Sequence, residues 1–298
     1  MTATVAQPVP TPPVAVPARA RAAVLRALLR VRRARVGLAL TGAVVLVALV
    51  GPFFAAHSAT SFVDVPFAPP GGAAPFGTDN IGRDVLSRFL FGGRSLLALS
   101  VAATVLGVGL GTVLGIVAGY LRGWRDEAIM RTGDVALAFP QVVVSLLFLS
   151  IVGPKPWLIV AVVGLSHAPR TARVMRDAAL AVVERDFVKA AEATGVRRWR
   201  IMAGEILPNV TGPLMVELGL RLTYSIGLIA GLSFLGFGLQ PPAADWGLMI
   251  NENRVALTVQ PWAVVLPVAA IAVLTIGTNL VTDGLARAYA GIDRGVAS

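Results

Sequence analysis

The sequence predicts an all-α integral membrane protein with six transmembrane helices. Of its 298 residues, 56% are hydrophobic and only 14% are charged, whereas soluble domains are about a quarter charged and just under half apolar. The apolar residues are grouped in uncharged runs, and a helix needs about 20 such residues to cross a bilayer. A water-soluble globule, a disordered chain and a collagen-like chain are therefore excluded.

Six apolar runs are the candidate spans. Pro140 lies inside the third run, where it removes a backbone donor and predicts a kink. The fourth run is short for a hydrocarbon core about 30 Å thick, so a re-entrant segment is an alternative there, as is continuation into the helix that follows Pro169. The six runs are residues 36–56, 95–121, 135–152, 157–168, 214–239 and 261–282.

The distribution of basic residues predicts how the spans are oriented. With six spans and an inside N-terminus, 20 of the 26 Lys and Arg residues lie on the cytoplasmic side, five lie outside, and Arg221 lies within the fifth span. A non-spanning fourth run would move the basic segment 170–200 outside, against the positive-inside bias. Both termini are thus predicted to be cytoplasmic. The net charge of +10 is explained by contact with anionic membrane lipid, without a nucleic-acid partner.

The composition divides the chain into four segments. Within the long outer segment, Thr78 and Asp79 are capping-type residues followed by apolar residues at helical spacing, which predicts an interfacial helix over 78–88. The core contains a long cytoplasmic segment, 170–212. The segments are a disordered Pro-rich tail with a basic cytoplasmic flank (1–35), the first span with the outer segment (36–94), the transmembrane core (95–290) and a C-terminal tail (291–298).

Two features inside the spans give information beyond the number and orientation of the spans. Small residues recur at every fourth position of the second span and form one smooth helix face, for which internal packing and a seam against a second membrane subunit are both open. Glu217 and Arg221 are four residues apart in the fifth span, so they pair either as a structural ion pair or as functional groups. The glycines of the face are Gly107, Gly111, Gly115 and Gly119.

The cytoplasmic segment 170–212 is too rich in helix-forming residues to be a flexible loop. Small residues surround Gly195, which separates two helical pieces, and large apolar residues flank the bend. A bend with small residues at its centre and large apolar residues on either side can insert into a groove on a cytoplasmic partner. Physical chemistry alone therefore predicts a docking element here.

Several kinds of chemistry are excluded. The chain has no Cys, and His57 and His167 are its only histidines, so neither a thiolate site nor a histidine cluster can form. The only lysines, Lys155 and Lys189, follow Pro and Val, whereas a phosphate-binding loop requires Lys after Gly. The sequence predicts a chain that is not an enzyme and binds neither a cofactor nor a metal.

Five stretches of the chain carry longer motifs. They are Pro75-Phe-Gly-Thr-Asp-Asn-Ile-Gly-Arg-Asp-Val-Leu-Ser-Arg88, Asp134-Val-Ala-Leu-Ala-Phe-Pro140, Asp186-Phe-Val-Lys-Ala-Ala-Glu-Ala-Thr-Gly195 with Ile206-Leu-Pro-Asn209, Leu232-Ser-Phe-Leu-Gly-Phe-Gly-Leu-Gln-Pro-Pro242 with Trp246-Gly247, and Asn279-Leu-Val-Thr-Asp-Gly-Leu285. Taken together and in this order, these motifs resemble those of the permease subunits of ATP-binding-cassette importers of the dipeptide, oligopeptide and nickel class. The chain departs from that family where Lys189 replaces a frequent Glu and where Ile229 replaces a frequent acidic residue.

The resemblance implies a type I importer architecture in the bacterial cytoplasmic membrane. It implies a second homologous permease, two cassette ATPase subunits or one fused ATPase that bind ATP and Mg²⁺, and an extracytoplasmic binding (lipo)protein. The long outer segment is more like the C-type member of the permease pair. The implied cargo is a di- or oligopeptide, with nickel chelate, glutathione or another small solute as alternatives. The implied ATPase-coupling residues are Ala190, Ala191, Gly195, Leu207 and Pro208.

Two functions from other classes remain open on the sequence. An ion-coupled secondary transporter would use Glu217 and Arg221 as coupling residues, but no inverted repeat is evident. A membrane scaffold would also use a docking loop. ATP dependence of uptake separates the importer from the secondary transporter, and any uptake excludes the scaffold.

Overall fold

The computed structural model describes residues 31–296, which are mainly α-helical. A π-helical turn, Met202–Ile206, joins α7 to α8, and a 3₁₀ turn, Gly51–Phe53, follows α1. Residues 1–30 of the predicted tail and basic flank (1–35) lie outside the described residues. The helices are α1 (Arg32–Val50), α2 (Val85–Leu121), α3 (Gly123–Leu137), α4 (Gln141–Val152), α5 (Pro156–Val183), α6 (Asp186–Ala193), α7 (Arg198–Ile201), α8 (Leu207–Asn209), α9 (Thr211–Phe234), α10 (Trp246–Asn253) and α11 (Trp262–Val296).

Five of the six predicted spans have counterparts that are apolar enough to cross a membrane. Four are single helices within α1, α2, α9 and α11, and the fifth is the pair α3 and α4, which is bent by 79°. The bend lies at Pro140, as predicted, because the ring blocks the α-helical hydrogen bond there. The sixth counterpart, α5, has 28 residues but is basic in its second half, so the span at 157–168 stays a prediction.

The predicted interfacial helix at 78–88 is wrong. Helix α2 begins only at Val85 and is capped by Asp84, whose carboxylate accepts from the backbone N–H groups of Leu86 and Ser87. Thr78 caps no helix, because its hydroxyl group accepts from the N–H of Ala68 and donates to the carbonyl of Val65 within the loop. The second span therefore continues outward as one 37-residue helix rather than being preceded by a separate surface helix.

Several predicted boundaries fall inside helices, including the one between residues 35 and 36, which lies in α1, and the one between residues 94 and 95, which lies in α2. Helix α5 passes through Pro169 without a break and ends at Val183, so the fourth run continues into the first part of the cytoplasmic segment. Helix α11 likewise runs to Val296, into the predicted C-terminal tail. Both helices therefore extend from a predicted span into a segment that the sequence placed outside the membrane.

The glycine face of α2 packs against α5 of the same chain. A Cβ atom at Gly111 would lie 2.6 Å from Cβ of Thr171, and one at Gly119 would lie 2.9 Å from the carbonyl oxygen of Arg176. Gly107 and Gly115 meet backbone atoms of α5 in the same way. These glycines therefore let two helix backbones touch over four turns, as small residues do in membrane helix pairs.

The first prediction concerns this helix pair. Gly115→Leu should destabilise the purified protein by about 1–3 kcal/mol, the usual penalty for overfilling a packed core, because its side chain would collide with Ala172 and Met175. Gly109→Leu is the matched control, since nothing lies within 4 Å of a Cβ there. Thermal unfolding in detergent measures the difference, and equal melting temperatures for the two variants would contradict the packing described.

Candidate functional site

Residues 184–210 of the predicted segment 170–212 follow α5 directly, and from here on these residues are called the docking element. Only Glu184 and Arg185 separate α5 from α6, and α6 ends at a bend centred on Gly195, as predicted. Gly195 has φ of +76°, and Val196 N–H donates to the carbonyl of Ala191 across it, which is the closing bond of a Schellman turn. Nothing lies within 4 Å of a Cβ at Gly195, so glycine is favoured there by backbone conformation and not by space.

An apolar cluster packs the base of the docking element against α2 and α5. Val188 of α6 and Ile201 of α7 are fully buried and pack with Met175 and Val182 of α5 and with Ile116 of α2. The apolar side of the docking element is thus covered by the chain itself. Because its base is packed in this way, the element is a continuation of the α2–α5 pair and not a free loop.

The five predicted coupling residues occupy two different positions. Ala190 and Gly195 are exposed and Ala191 is half-buried, whereas Leu207 and Pro208 lie partly buried underneath. The exposed tip also presents Val196 and Trp199, at 40% and 56% exposure. An apolar surface of this kind, set on a rigid base, can insert into a groove of another protein.

Glu217 and Arg221 form a buried ion pair in the first half of α9. The Nε group of Arg221 donates to Oε2 of Glu217 at 2.9 Å, and both side chains are less than 10% exposed. The hydroxyl group of Thr171 on α5 donates to the same carboxylate oxygen at 3.0 Å. The Glu217 carboxylate therefore bonds to Arg221 within α9 and also links α9 to Thr171 of α5 in the same chain.

A second polar group lies one turn further along the same helices. The hydroxyl group of Ser225 on α9 lies 3.0 Å from Oγ1 of Thr104 on α2 and 3.1 Å from Nε2 of His167 on α5. All three side chains are buried. Polar groups in a membrane interior need such partners because no water replaces them.

A face of α9 that adjoins the Glu217–Arg221 pair is open. Tyr224 is 58% exposed, and no atom lies within 4 Å of a Cβ placed at Gly227 or Gly231. These three residues form what we call the open face of α9. In contrast to the glycines of α2, its two glycines have no helix of this chain against them.

A charge network between the predicted outer segment and α10 was not predicted from the sequence. Arg83 and Arg88 each contact both Asp79 and Glu252, at N–O distances of 2.6 to 3.2 Å. None of the four side chains is more than 11% exposed. Burial raises the pKa of the Glu252 carboxyl, and the charge of Arg83 opposes that rise. The network fastens the outer segment to α10.

Trp246 strengthens the same junction. Its indole N–H donates to the carbonyl of Phe89 at 2.8 Å, and the two rings stack with centroids 5.4 Å apart. Phe89 directly follows the motif Pro75–Arg88, so the end of this motif lies close to the motif Trp246–Gly247.

Within the described residues, no group of three or more His, Asp or Glu side chains could hold a metal ion.

Comparison with known proteins identifies the family. Residues 111–291 match the family described as binding-protein-dependent transport system inner membrane component. A putative peptide transport system permease protein of Brucella suis is 37% identical over 87% of this chain and 88% of its own length. The glutathione transport system permease protein GsiD of Escherichia coli is 35% identical over 81% and 80%, and that of Pectobacterium atrosepticum is 36% identical over 72% of each chain. The chain therefore belongs to the family of binding-protein-dependent transport system inner membrane components and is a multi-pass inner-membrane permease subunit of an ATP-binding-cassette importer.

Proposed function

We propose that this permease moves di- or oligopeptides into the cell through a path formed with a second, homologous permease. An extracytoplasmic binding protein delivers the peptide, and cassette ATPases bind the cytoplasmic docking element. The chain itself is the non-catalytic, C-type member, with both termini in the cytoplasm. The observation that carries this proposal is the exposed apolar tip around Gly195, which is mounted on α5 by a packed base.

The cargo class rests on the relatives. One is named as a putative peptide transport permease and two as glutathione transport permeases. Glutathione is itself a short peptide, so it is the second candidate within the same machine. Because the binding protein would select the cargo, the permease needs only a path of suitable size.

Mild-detergent purification of the tagged chain from its native host tests the proposal. We expect a second permease, one or two cassette ATPases and a binding protein to co-purify, and the ligand on the binding protein to be a peptide or glutathione. A well-folded chain that purifies alone, under conditions that preserve a known importer, would refute the docking role. An ion-coupled secondary transporter would then be the better account of Glu217 and Arg221.

The docking element gives the second prediction. Ala190→Asp should abolish ATP-driven uptake while the protein still inserts into the membrane, because a carboxylate on the apolar tip would be desolvated in the ATPase groove. Ala181→Asp is the matched control, since this exposed alanine lies on α5 before the docking element. Uptake and co-purification of the ATPase are measured in parallel. Normal ATPase recovery with Ala190→Asp would show that the tip is not the docking surface.

The third prediction concerns the open face of α9, which we place along the peptide path. Gly231→Leu should reduce uptake strongly without changing ATPase recovery, because leucine narrows a path that glycine leaves open. Gly42→Leu is the control, since a Cβ there also has no neighbour within 4 Å and α1 packs mainly against α11 and α2 rather than α9. Equal uptake by both variants would place the path elsewhere.

A further inference from the structure

The buried face of α9 is polar in its inner half. Glu217, Arg221 and Ser225 follow one another at intervals of four residues and are all buried. Further along, the buried residues are mainly apolar and include Ile226 and Ile229. Ion pairs of this kind carry a desolvation cost that well-packed apolar residues would avoid. We call the row Glu217, Arg221 and Ser225 the polar seam. Because apolar packing would hold the helices together at lower cost, we infer that the polar seam has a further role.

One bond in this seam leads towards the cytoplasm. Thr171 is fully buried, and its hydroxyl group is the donor that connects α5 to Glu217. From Thr171, α5 runs without a break to Val183 and then meets the docking helix α6. A movement of the docking element is thus transmitted along α5 to Thr171 by a rigid helix.

The other end of the seam leads to the open face of α9. The guanidinium group of Arg221 lies 5.5 Å from the ring centroid of Tyr224, within the range of a cation–π contact. Tyr224 stands beside Gly227 and Gly231, where this chain leaves α9 uncovered. Arg221 therefore contacts Glu217 on one side and an open-face residue on the other.

We propose that Thr171, Glu217, Arg221 and Tyr224 form a relay that couples the docking element to the open face of α9. Thr171 is its positioning residue, because its hydroxyl group is the contact by which α5 orients the Glu217 carboxylate. The relay rests on the proposed function, since it assigns α5 as the element driven by the ATPases and the open face as the part that responds. When α5 moves, the carboxylate follows Thr171, and Arg221 and Tyr224 move with it.

The chain offers a close control for this relay. Thr223, also on α9, donates a hydrogen bond of 3.0 Å to Thr278 on α11. It joins α9 to a helix that does not lead into the docking element. If hydroxyl bonds in this region only stabilised the bundle, loss of the Thr223 bond and loss of the Thr171 bond would have the same effect.

The fourth prediction compares three variants in the complete importer, reconstituted in proteoliposomes with its binding protein. Thr171→Val removes the hydroxyl group but keeps the shape, Thr171→Ser keeps the hydroxyl group, and Thr223→Val is the control. The readout is the number of peptides imported per ATP hydrolysed, together with the yield of assembled complex. We expect Thr171→Val to lower this ratio by about three- to tenfold, which corresponds to the free energy of one interhelical hydrogen bond in a membrane protein.

The outcomes separate the relay from its alternatives. Thr171→Ser and Thr223→Val should keep the wild-type ratio, and all variants should assemble normally. A wild-type ratio for Thr171→Val would overturn the relay, and equal losses of ratio and yield for Thr171→Val and Thr223→Val would make the bond merely structural. If the wild-type chain neither assembles with an ATPase nor imports peptide, it is the proposed function that fails.

Discussion

The close contact between α2 and α5 is the constraint on which the rest of the structure depends. Four glycines bring the two backbones together, and α2 and α5 make the most extensive helix–helix contact among the described residues. The pair reaches from the outer charge network, which includes Arg88 of α2, to the docking element beyond α5. A membrane interior offers no hydrophobic force between helices, so this surface fit supplies much of the rigidity.

The polar seam of α9 is hydrogen-bonded to this rigid pair of helices. Hydroxyl groups of α2 and α5 meet Ser225 and Glu217 of α9, so α9 is positioned by specific bonds and not only by apolar packing. On its open face, nothing lies within 4 Å of a Cβ atom placed at Gly227 or Gly231. One helix thus carries both the bonds that locate it and the surface proposed to line the peptide path.

Local sequence signals predicted much of the fold, and long-range pairings were missed. The kink at Pro140 and the bend at Gly195 follow from the backbone of one or two residues, and the Glu217–Arg221 pair follows from helical spacing. The contact of Arg83 and Arg88 with Glu252 joins residues more than 160 positions apart, which no local pattern reveals. Both arginines belong to the motif Pro75–Arg88, which resembles a family motif. Nothing in the motif itself indicates that Glu252 is the partner of its arginine side chains.

A distance measurement tests the central claim that α2 and α5 move as one body. The chain has no Cys, so spin labels can be attached at cysteines introduced for Val113 of α2 and Val174 of α5, which are both exposed. The account predicts that the distance between these labels stays constant in the assembled importer with and without bound ATP, while the distance from Val113 to the second permease changes. A change between Val113 and Val174 as large as that between the two permeases would contradict it.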